Sequence, residues 1–247
     1  MSRYFYDLHV HSCLSPCGDD DMTPANIAGM ASIKGLGIVA LTDHNTTKNC
    51  PAFFKACKVH GIIPVAGMEL TTLEDVHLVC LFPDLESAME FNREVEIRRS
   101  PIKNRPELFG RQQIMDHEDN VIEEEENLLL YATELSLDEG KELCESFGGA
   151  AYPAHIDRES NGIVAILGGV PDDADYYAYE LNQKEASEEY IARFPHLEKM
   201  KQLVSSDAHY LWDISEAVNS LEIPDEPYSS DLVRRNLIAL IKGGTSQ

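Results

Sequence analysis

Eight metal-ligand-type side chains stand in five short blocks spread along the chain, most of them at the end of a predicted strand. They are His9, His11, His44, Glu69, His77, His155, Asp207 and His209. Imidazole and carboxylate groups bind Mn²⁺, Fe and Zn²⁺, and six of the nine histidines of the chain fall in these blocks. Blocks so far apart in sequence share one site only where the fold gathers strand ends. The rim of an α/β barrel does this, because the carboxyl ends of its strands converge on one face.

Strand and helix signals alternate along most of the chain, which predicts a single α/β domain over residues 1–247. Residues 4–10 are predicted as a strand that ends at the first histidine pair. The almost wholly apolar run at residues 38–42 is typical of a parallel strand buried on both faces. The stretch 101–135 breaks the alternation, and we expect an inserted hairpin or lid there.

The composition limits the partners that the chain can have. A formal net charge of −23 disfavours a grip on long nucleic acid, which needs a basic face. A small phosphorylated substrate is compatible with this charge, because bound metal ions reverse the charge inside a pocket. No apolar run approaches the roughly 20 residues of a membrane span, and the first residues lack the pattern of a signal peptide. We therefore expect a cytoplasmic protein with no membrane partner.

Each block alone also has an ordinary structural explanation. His9 and His11 point to the same side of a strand, as two surface histidines on an edge strand would. His44 can simply begin a loop, although Asp43 beside it is a suitable hydrogen-bond acceptor to orient the ring. Glu69 lies in an apolar strand, where an unpaired carboxylate is costly. Taken together, the blocks predict a metal centre.

The blocks also resemble the motifs of the PHP family, the polymerase and histidinol phosphatase superfamily. The matching segments are Asp7-Leu8-His9-Val10-His11-Ser12, Thr42-Asp43-His44-Asn45, Gly67-Met68-Glu69, Ala154-His155 and Ser206-Asp207-Ala208-His209. The resemblance implies a distorted seven-stranded α/β barrel of the PHP type and a metal-dependent hydrolase acting on phosphate esters. Some members of the family are proofreading or structural modules of bacterial polymerases.

Carried over residue by residue, the resemblance implies two or three divalent transition metal ions, Mn, Zn or Fe. The first ion would be held by His9, His11, Glu69 and Asp207, the second by Glu69, His77 and His155, and the third by His44 and His209. Cys17 occupies a position where the family has a further ligand. A thiolate suits Zn or Fe and suits Mn²⁺ poorly, so the alternatives are Asp19, Asp20 or Asp21 in its place, or a weak third site. Asp7 and Asp43 are expected to support the ligands through hydrogen bonds.

Arg158, three positions after His155, resembles the phosphate-binding arginine of family members that cleave nucleotides. Ile156 stands where those members have proline, and a surface arginine that opens a helix is the alternative. We expect hydroxide bridging the first two ions to attack phosphorus in line, while Asp207 orients it and accepts its proton. His209, or a water on the third ion, would assist the leaving group.

Three functions follow from the resemblance, and the sequence favours the first. It is hydrolysis of a phosphate ester on a nucleotide, a nucleoside bisphosphate or a short oligonucleotide end, with Arg158 in support. The second changes the substrate to histidinol phosphate or a phosphotyrosyl protein, and the stretch 101–135 is expected to decide between them. The third is a metal-binding regulatory or polymerase-associated module without turnover, which an intact ligand set disfavours.

Overall fold

The computed structural model describes residues 1–171 and 175–244, in which strands and helices alternate. The strands are β1 Ser2–Val10, β2 Ile38–Leu41, β3 Ile63–Thr71, β4 His77–Phe82, β5 Gln113–Met115, β6 Val121–Glu124, β7 Ala150–Pro153, β8 Ala178–Leu181, β9 Lys201–Val204 and β10 Ser220–Ile223. The helices are α1 Pro24–Ile33, α2 Cys50–His60, α3 Leu85–Glu96, α4 Pro106–Phe109, α5 Leu137–Ser146, α6 Ile163–Leu167, α7 Ser187–Arg193 and α8 Ser230–Ile241. Short 3₁₀ turns lie at Lys184–Ala186, Pro195–Lys199 and Leu211–Asp213.

Six strands form one sheet in the order β10-β1-β2-β3-β4-β7. β1, β2 and β3 are parallel, whereas β4 and β7 run antiparallel to their neighbours and β10 runs antiparallel to β1. Every residue of β2 is buried, as its apolar sequence predicts for a strand covered on both faces. The carboxyl ends of the parallel strands therefore meet at one edge, where the first three ligand blocks lie.

The expected seven-stranded barrel is not formed as one sheet. β8 and β9 pair with each other in a separate parallel ladder, and isolated backbone hydrogen bonds replace a continuous ladder between this pair and the main sheet. Ile156 N donates to Glu180 O at 2.9 Å, and His11 N donates to Ala208 O at 3.0 Å. The physical reason lies at β1, because its first half pairs with β10. Its ladder contact with the segment after β9 is therefore reduced to a bridge between Val10 and Ala208. The fold is α/β with a six-stranded curled sheet.

Two apolar clusters pack against opposite faces of this sheet, and β2 shows how its residues divide between them. Val39 and Leu41 belong to the cluster with residues of α1, α2 and α3. Ile38 and Ala40 belong to the cluster with residues of α8. This alternation follows from the two-residue period of a strand. Packing on both faces holds β2 in position, and with it the strand end that is followed by His44.

The stretch 101–135 contains the expected hairpin, formed by β5 and β6. Buried hydrogen bonds attach it to the loop between β2 and α2: Met115 N donates to Asn49 Oδ1 at 2.9 Å, and Asn45 Nδ2 donates to Leu129 O at 2.7 Å. Lys48 Nζ pairs with Glu125 at 2.6 Å. These contacts hold the insertion against the loop that contains His44. Among the described residues, no helix has both the length and the apolar character that crossing a bilayer requires.

Candidate metal centre

The predicted ligands come together at the end of the curled sheet. His9 lies in β1 and His11 just after it, His44 follows β2, Glu69 lies in β3, His77 begins β4, His155 follows β7, and Asp207 and His209 follow β9. β4 runs antiparallel to β3, so its first residue lies at the edge where β3 ends. This is why a histidine at the start of a strand reaches the same site as histidines at the ends of others.

Glu69 is the centre of the cluster. Its Oε1 lies 2.7 Å from His77 Nδ1, 3.0 Å from His155 Nε2 and 3.3 Å from His9 Nε2. Its Oε2 lies 2.9 Å from His44 Nδ1 and 3.3 Å from His11 Nε2. The two oxygens therefore face different sets of imidazoles, which is the arrangement of a carboxylate able to bridge two cations.

The donor atoms fall into three overlapping groups, each with its atoms within 4.8 Å of one another. One group is the first predicted ligand set, His9, His11, Glu69 and Asp207. The others are His44, Glu69 and His77, and His11, His44 and His209. The group around Glu69 and His77 contains His44, whereas the predicted second ligand set contains His155. The group around His44 and His209 contains His11, whereas the predicted third site has Cys17 as its further ligand. His155 nevertheless contacts Glu69.

The donor geometry fits cations better than a hydrogen-bond network. The Nδ1 atoms of His44 and His77 approach Glu69 closely, yet neither makes a hydrogen bond in the described part of the chain. Glu69 Oε2 and Asp207 Oδ1 are likewise buried without a hydrogen-bond partner there. Buried polar atoms are normally satisfied. Imidazole nitrogens and carboxylate oxygens left facing one another at ligand spacing are suited to hold Zn, Fe or Mn.

The electrostatics of the cluster point the same way. Burial opposes protonation of His11, but the carboxylates of Asp207 and Glu69 outweigh burial and raise its pKa to about 9. Burial also opposes protonation of His44, and Glu69 raises its pKa to about 9. Burial alone would raise the pKa of Glu69, yet the imidazoles of His77, His9 and His44 hold it well below its usual range. The carboxylates thus draw positive charge into a buried site, whether it is carried by protons or by metal ions.

Strained backbone carries two of the predicted ligands. His155 has a φ of 24° and Asp207 a φ of 52°, both on the left-handed side that side chains with a Cβ rarely adopt. Asp7 restrains the turn before Asp207: its carboxylate accepts hydrogen bonds from Ser206 Oγ at 2.6 Å and from Ser215 N at 2.8 Å. Asp7 therefore holds the β9 end in place instead of touching a ligand ring.

Asp43 supports the first ligands through serines. It accepts hydrogen bonds of 2.7 Å from Ser12 Oγ and from Ser15 Oγ. Because Ser15 donates to Asp43, it accepts from His11 Nδ1 at 2.9 Å and from His44 N at 3.2 Å. In the neutral ring the proton of His11 therefore lies on Nδ1, and the lone pair of Nε2 is available to an ion once the ring has lost its second proton. Asp43 thus reaches His11 through Ser15, and its contact with His44 is likewise indirect.

Glu180 is a residue of the site that the sequence interpretation missed. Its side chain is buried in β8, and its Oε1 lies 2.8 Å from His9 Nδ1. The same oxygen accepts a hydrogen bond from His155 N at 3.2 Å. Glu180 therefore orients one ligand ring and fixes the backbone of another. The signal was present, because a carboxylate in the apolar strand Ala178–Leu181 is costly unless it is paired.

Cys17 and Arg158 lie at the edge of the centre. The exposed Cys17 thiol is one of the groups that raise the pKa of His44, whereas Asp20, one alternative to it, accepts a hydrogen bond from Gln113 of the insertion at 2.7 Å. The Arg158 guanidinium forms an ion pair with Asp207 Oδ2. Arg158, Asp207 and His209 line a cleft of about 960 Å³ that opens to solvent.

Comparison with known proteins identifies the family. The model of the PHP domain matches residues 7–199. The chain belongs to the PHP domain family. The resemblance inferred from the motifs is thus confirmed, although Asp207 and His209 lie beyond the matched residues.

Two curated relatives share part of this PHP chain. An uncharacterised protein of Methanocaldococcus jannaschii is 37% identical over 76 residues, which cover 28% of this chain and 44% of that protein. An error-prone DNA polymerase of Symbiobacterium thermophilum is 33% identical over 89 residues, which cover 36% of this chain and 8% of the polymerase. The matched region is therefore less than half of either relative.

Solved structures share the fold of the PHP chain. The lesion-specific endonuclease Q of Pyrococcus furiosus has a TM-score of 0.65 at 20% identity, covering 98% of this chain and 56% of that chain. A putative metal-dependent phosphoesterase of Bifidobacterium adolescentis has a TM-score of 0.56 at 18% identity, covering 97% of this chain and 96% of that chain. At this identity the likeness describes the architecture.

Proposed function

We propose that this PHP chain is a metal-dependent phosphoesterase that hydrolyses a phosphate ester of a nucleotide, a nucleoside bisphosphate or a short oligonucleotide end. The observation that carries the proposal is the Asp207 side chain. One of its oxygens faces the imidazoles of His9 and His11 at 3.4 and 3.0 Å, and the other pairs with Arg158 at the mouth of the cleft. The Asp207 carboxylate thus contacts both the cluster proposed to bind cations and Arg158, the group proposed to bind phosphate.

The proposed ligands are those that the sequence implies: His9, His11, Glu69 and Asp207 for one ion, Glu69, His77 and His155 for a second, and His44 and His209, with Cys17 beside them, for a third. Divalent ions in such a centre neutralise phosphoryl charge and make water a better nucleophile at neutral pH. Glu69 links the positions because its two oxygens face different imidazoles.

Arg158 is the proposed phosphate-binding residue. In the structure its guanidinium pairs with Asp207, and its side chain is 41% exposed, so a phosphate that enters the cleft can reach it. A guanidinium offers phosphate two parallel N–H donors. Transfer of these donors from Asp207 to the substrate would free the Asp207 carboxylate to orient the attacking water and to accept its proton.

His209 is better suited to be a ligand than a proton donor. Its Nδ1 lies 2.8 Å from the carbonyl oxygen of Asp207, which only accepts hydrogen bonds, so Nδ1 carries the proton and Nε2 presents a lone pair. Burial and the neighbouring His11 lower the pKa of His209 to about 3, so the ring is neutral at pH 7. We therefore assign its Nε2 to an ion, and propose that solvent in the cleft protonates the leaving oxygen.

The preference for a nucleotide rests on the open cleft and on the structural likeness. Endonuclease Q, whose fold is shared, has been crystallised with a duplex that carries an abasic lesion at its active site. A long duplex suits this chain poorly, because its formal net charge is −23. A nucleotide or a short oligonucleotide end places one or two phosphates at the metal centre. It has few other phosphates that the acidic surface would repel.

Phosphate release from a panel of esters tests the proposal. The protein is loaded with Mn²⁺, Zn²⁺ or Fe²⁺ and offered nucleoside monophosphates, nucleoside bisphosphates, short 5′-phosphorylated oligonucleotides, a duplex with an abasic lesion, histidinol phosphate and a phosphotyrosyl peptide. Turnover fastest on the nucleotides supports the proposal, and turnover fastest on either of the last two replaces the substrate. A failure to hydrolyse any ester with any of these metals would favour a module without turnover.

The Asp207→Asn variant tests the residue assignment. Loss of the group that accepts the proton is expected to lower kcat by about 100-fold or more, while the folded state is kept. Asp138→Asn, on the exposed face of α5, is the matched control. Equal activity of the two variants would remove Asp207 from the mechanism.

A further inference from the structure

A stacked pair of aromatic rings stands exposed beside the metal centre. Tyr210 directly follows His209, and Trp212 is the single tryptophan of the chain. Their ring centroids are 5.0 Å apart, with planes inclined by 16°. The two residues are 40% and 69% exposed. The mechanism proposed above uses neither ring, and adjacent large aromatic surfaces left in solvent mark a place where a ligand binds.

Bonds that do not involve the rings hold the turn that carries them. Lys34, at the end of α1, donates from Nζ to Trp212 O at 2.8 Å and pairs with Glu216 at 3.1 Å. Its side chain is only 12% exposed. Asp213 N donates to Tyr210 O at 3.0 Å and closes the turn. The backbone that carries the ring pair is therefore held in place before any ligand arrives, which reduces the entropic cost of binding.

Tyr210 lines the same cleft as the proposed phosphate-binding residue Arg158. It also lines a second opening of about 370 Å³, between Cys17 and the insertion residue Arg111. Trp212 stacks on Tyr210 and lines neither opening. Tyr210 is thus the ring that a ligand in the cleft meets, and Trp212 supports it from behind.

The cleft also offers groups that suit the polar edge of a planar ligand. Asn182 and Gln183 line it, and side-chain amides both donate and accept hydrogen bonds. Asn182 Nδ2 also donates to Ser206 O at 3.2 Å. The cleft wall includes Glu185 and Glu216 as well, so the region beyond Arg158 is not a track for a polyanion. A ligand with one phosphate, a planar ring and a polar ring edge matches these features together.

Resting on the proposed function, we propose that Tyr210, backed by Trp212, stacks against the nucleobase of a nucleotide whose phosphate lies at Arg158. An aromatic ring stacks on any base, because every base has a π-face. The site should therefore discriminate strongly between a nucleotide and a sugar phosphate that has no base. It should discriminate only weakly between nucleotides with different bases.

Fluorescence and kinetics together test this proposal on the Mn²⁺-loaded protein. Trp212 is the only tryptophan, so stopped-flow quenching of its emission by adenosine 5′-monophosphate or ribose 5-phosphate reports ligand binding. We expect the nucleotide to bind more tightly than the sugar phosphate. Tyr210→Ala should raise the Kd and the KM for the nucleotide by about 5- to 100-fold, with a much smaller change for ribose 5-phosphate. Tyr210→Phe should retain the preference, and Tyr228→Ala, which removes another exposed tyrosine, is the matched control.

The outcomes separate the stacking proposal from the proposed function. Equal affinity of the wild-type protein for the two ligands, or an unchanged preference in Tyr210→Ala, overturns the stacking proposal. If no ester is hydrolysed, the proposed function fails, whereas selective quenching by the nucleotide that is lost in Tyr210→Ala still supports stacking. Equal hydrolysis of the two esters upholds phosphoesterase activity and overturns stacking.

Discussion

Replacement of Glu180 by glutamine should weaken metal binding without loss of the fold. Glu180 Oε1 bonds both His9 Nδ1 and His155 N in a buried environment. Glutamine has nearly the same shape, and its carbonyl oxygen can accept both hydrogen bonds. It lacks the negative charge that makes His9 a more basic ligand. Partners of this kind typically contribute 10- to 100-fold to metal affinity, so we expect the Kd for Zn²⁺ to rise by about 10- to 100-fold, or about 1.4 to 2.8 kcal/mol.

Glu180→Ala separates the effect of charge from the effect of hydrogen bonding. Alanine leaves the ring Nδ1–H of His9 and the backbone N–H of His155 buried without an acceptor, and each such group costs about 1 to 3 kcal/mol. We therefore expect the alanine variant to lose stability in the metal-free state as well as metal affinity. The glutamine variant should keep most of the stability and lose mainly affinity.

The assay is titration of metal-free protein with Zn²⁺ against a competing chelator, together with urea denaturation of each variant. Glu222→Gln, on the exposed side of β10, removes the same charge away from the site and serves as the control. Wild-type affinity in Glu180→Gln, or an equal loss in Glu222→Gln, would refute the argument that Glu180 acts through His9.

Three further predictions follow from the same contacts. Ser15→Ala removes the acceptor that fixes the His11 ring, so the chelator titration should show affinity for Zn²⁺ lower by about 10-fold, and unchanged affinity would contradict the role. The pKa of His11 and of His44 is raised to about 9, so these rings are protonated at neutral pH in the metal-free protein and must lose protons to bind ions. Calorimetric titration in two buffers should therefore show more proton release at about pH 7 than above about pH 10, and release that does not change with pH would oppose this. A Cβ added at Gly67 would lie 2.8 Å from Thr42 Cγ2 and 2.9 Å from Cys80 O, so Gly67→Ala should lower the free energy of unfolding by about 1 to 3 kcal/mol in urea denaturation, and an unchanged value would contradict it.

The positions of the predicted ligands could be inferred because their signals are local. His9 and His11 share a strand face, and Glu69 is a carboxylate in an apolar strand, so each carries its own energetic clue. Glu180 carried the same clue in β8 but stood outside the motif blocks, and for this reason it was missed. Applied to every apolar strand, the rule that a buried carboxylate needs a partner would have found it.

The remaining features depend on contacts that no local pattern contains. The split of the barrel sheet arises because β10 occupies one half of β1, a competition between segments more than 200 residues apart. The partners of Asp43 depend on how the loop after β1 folds back over β2. The Tyr210–Trp212 pair reads in sequence as two ordinary aromatic residues, and only its exposure beside the cleft sets it apart.

Asn45 couples the insertion to the candidate metal centre. Asn45, next to His44, has a φ of 51° and donates from Nδ2 to Leu129 O and Tyr131 O of the insertion. Its Oδ1 accepts from Thr71 N in β3 at 2.8 Å, and its N donates to the carbonyl of Glu69 at 2.9 Å. One side chain therefore ties a ligand loop, the strand of the central carboxylate and the inserted segment. Because the bond from Asn45 Nδ2 to Leu129 O is buried, we expect a change in the packing of the insertion to alter the positions of His44 and Glu69.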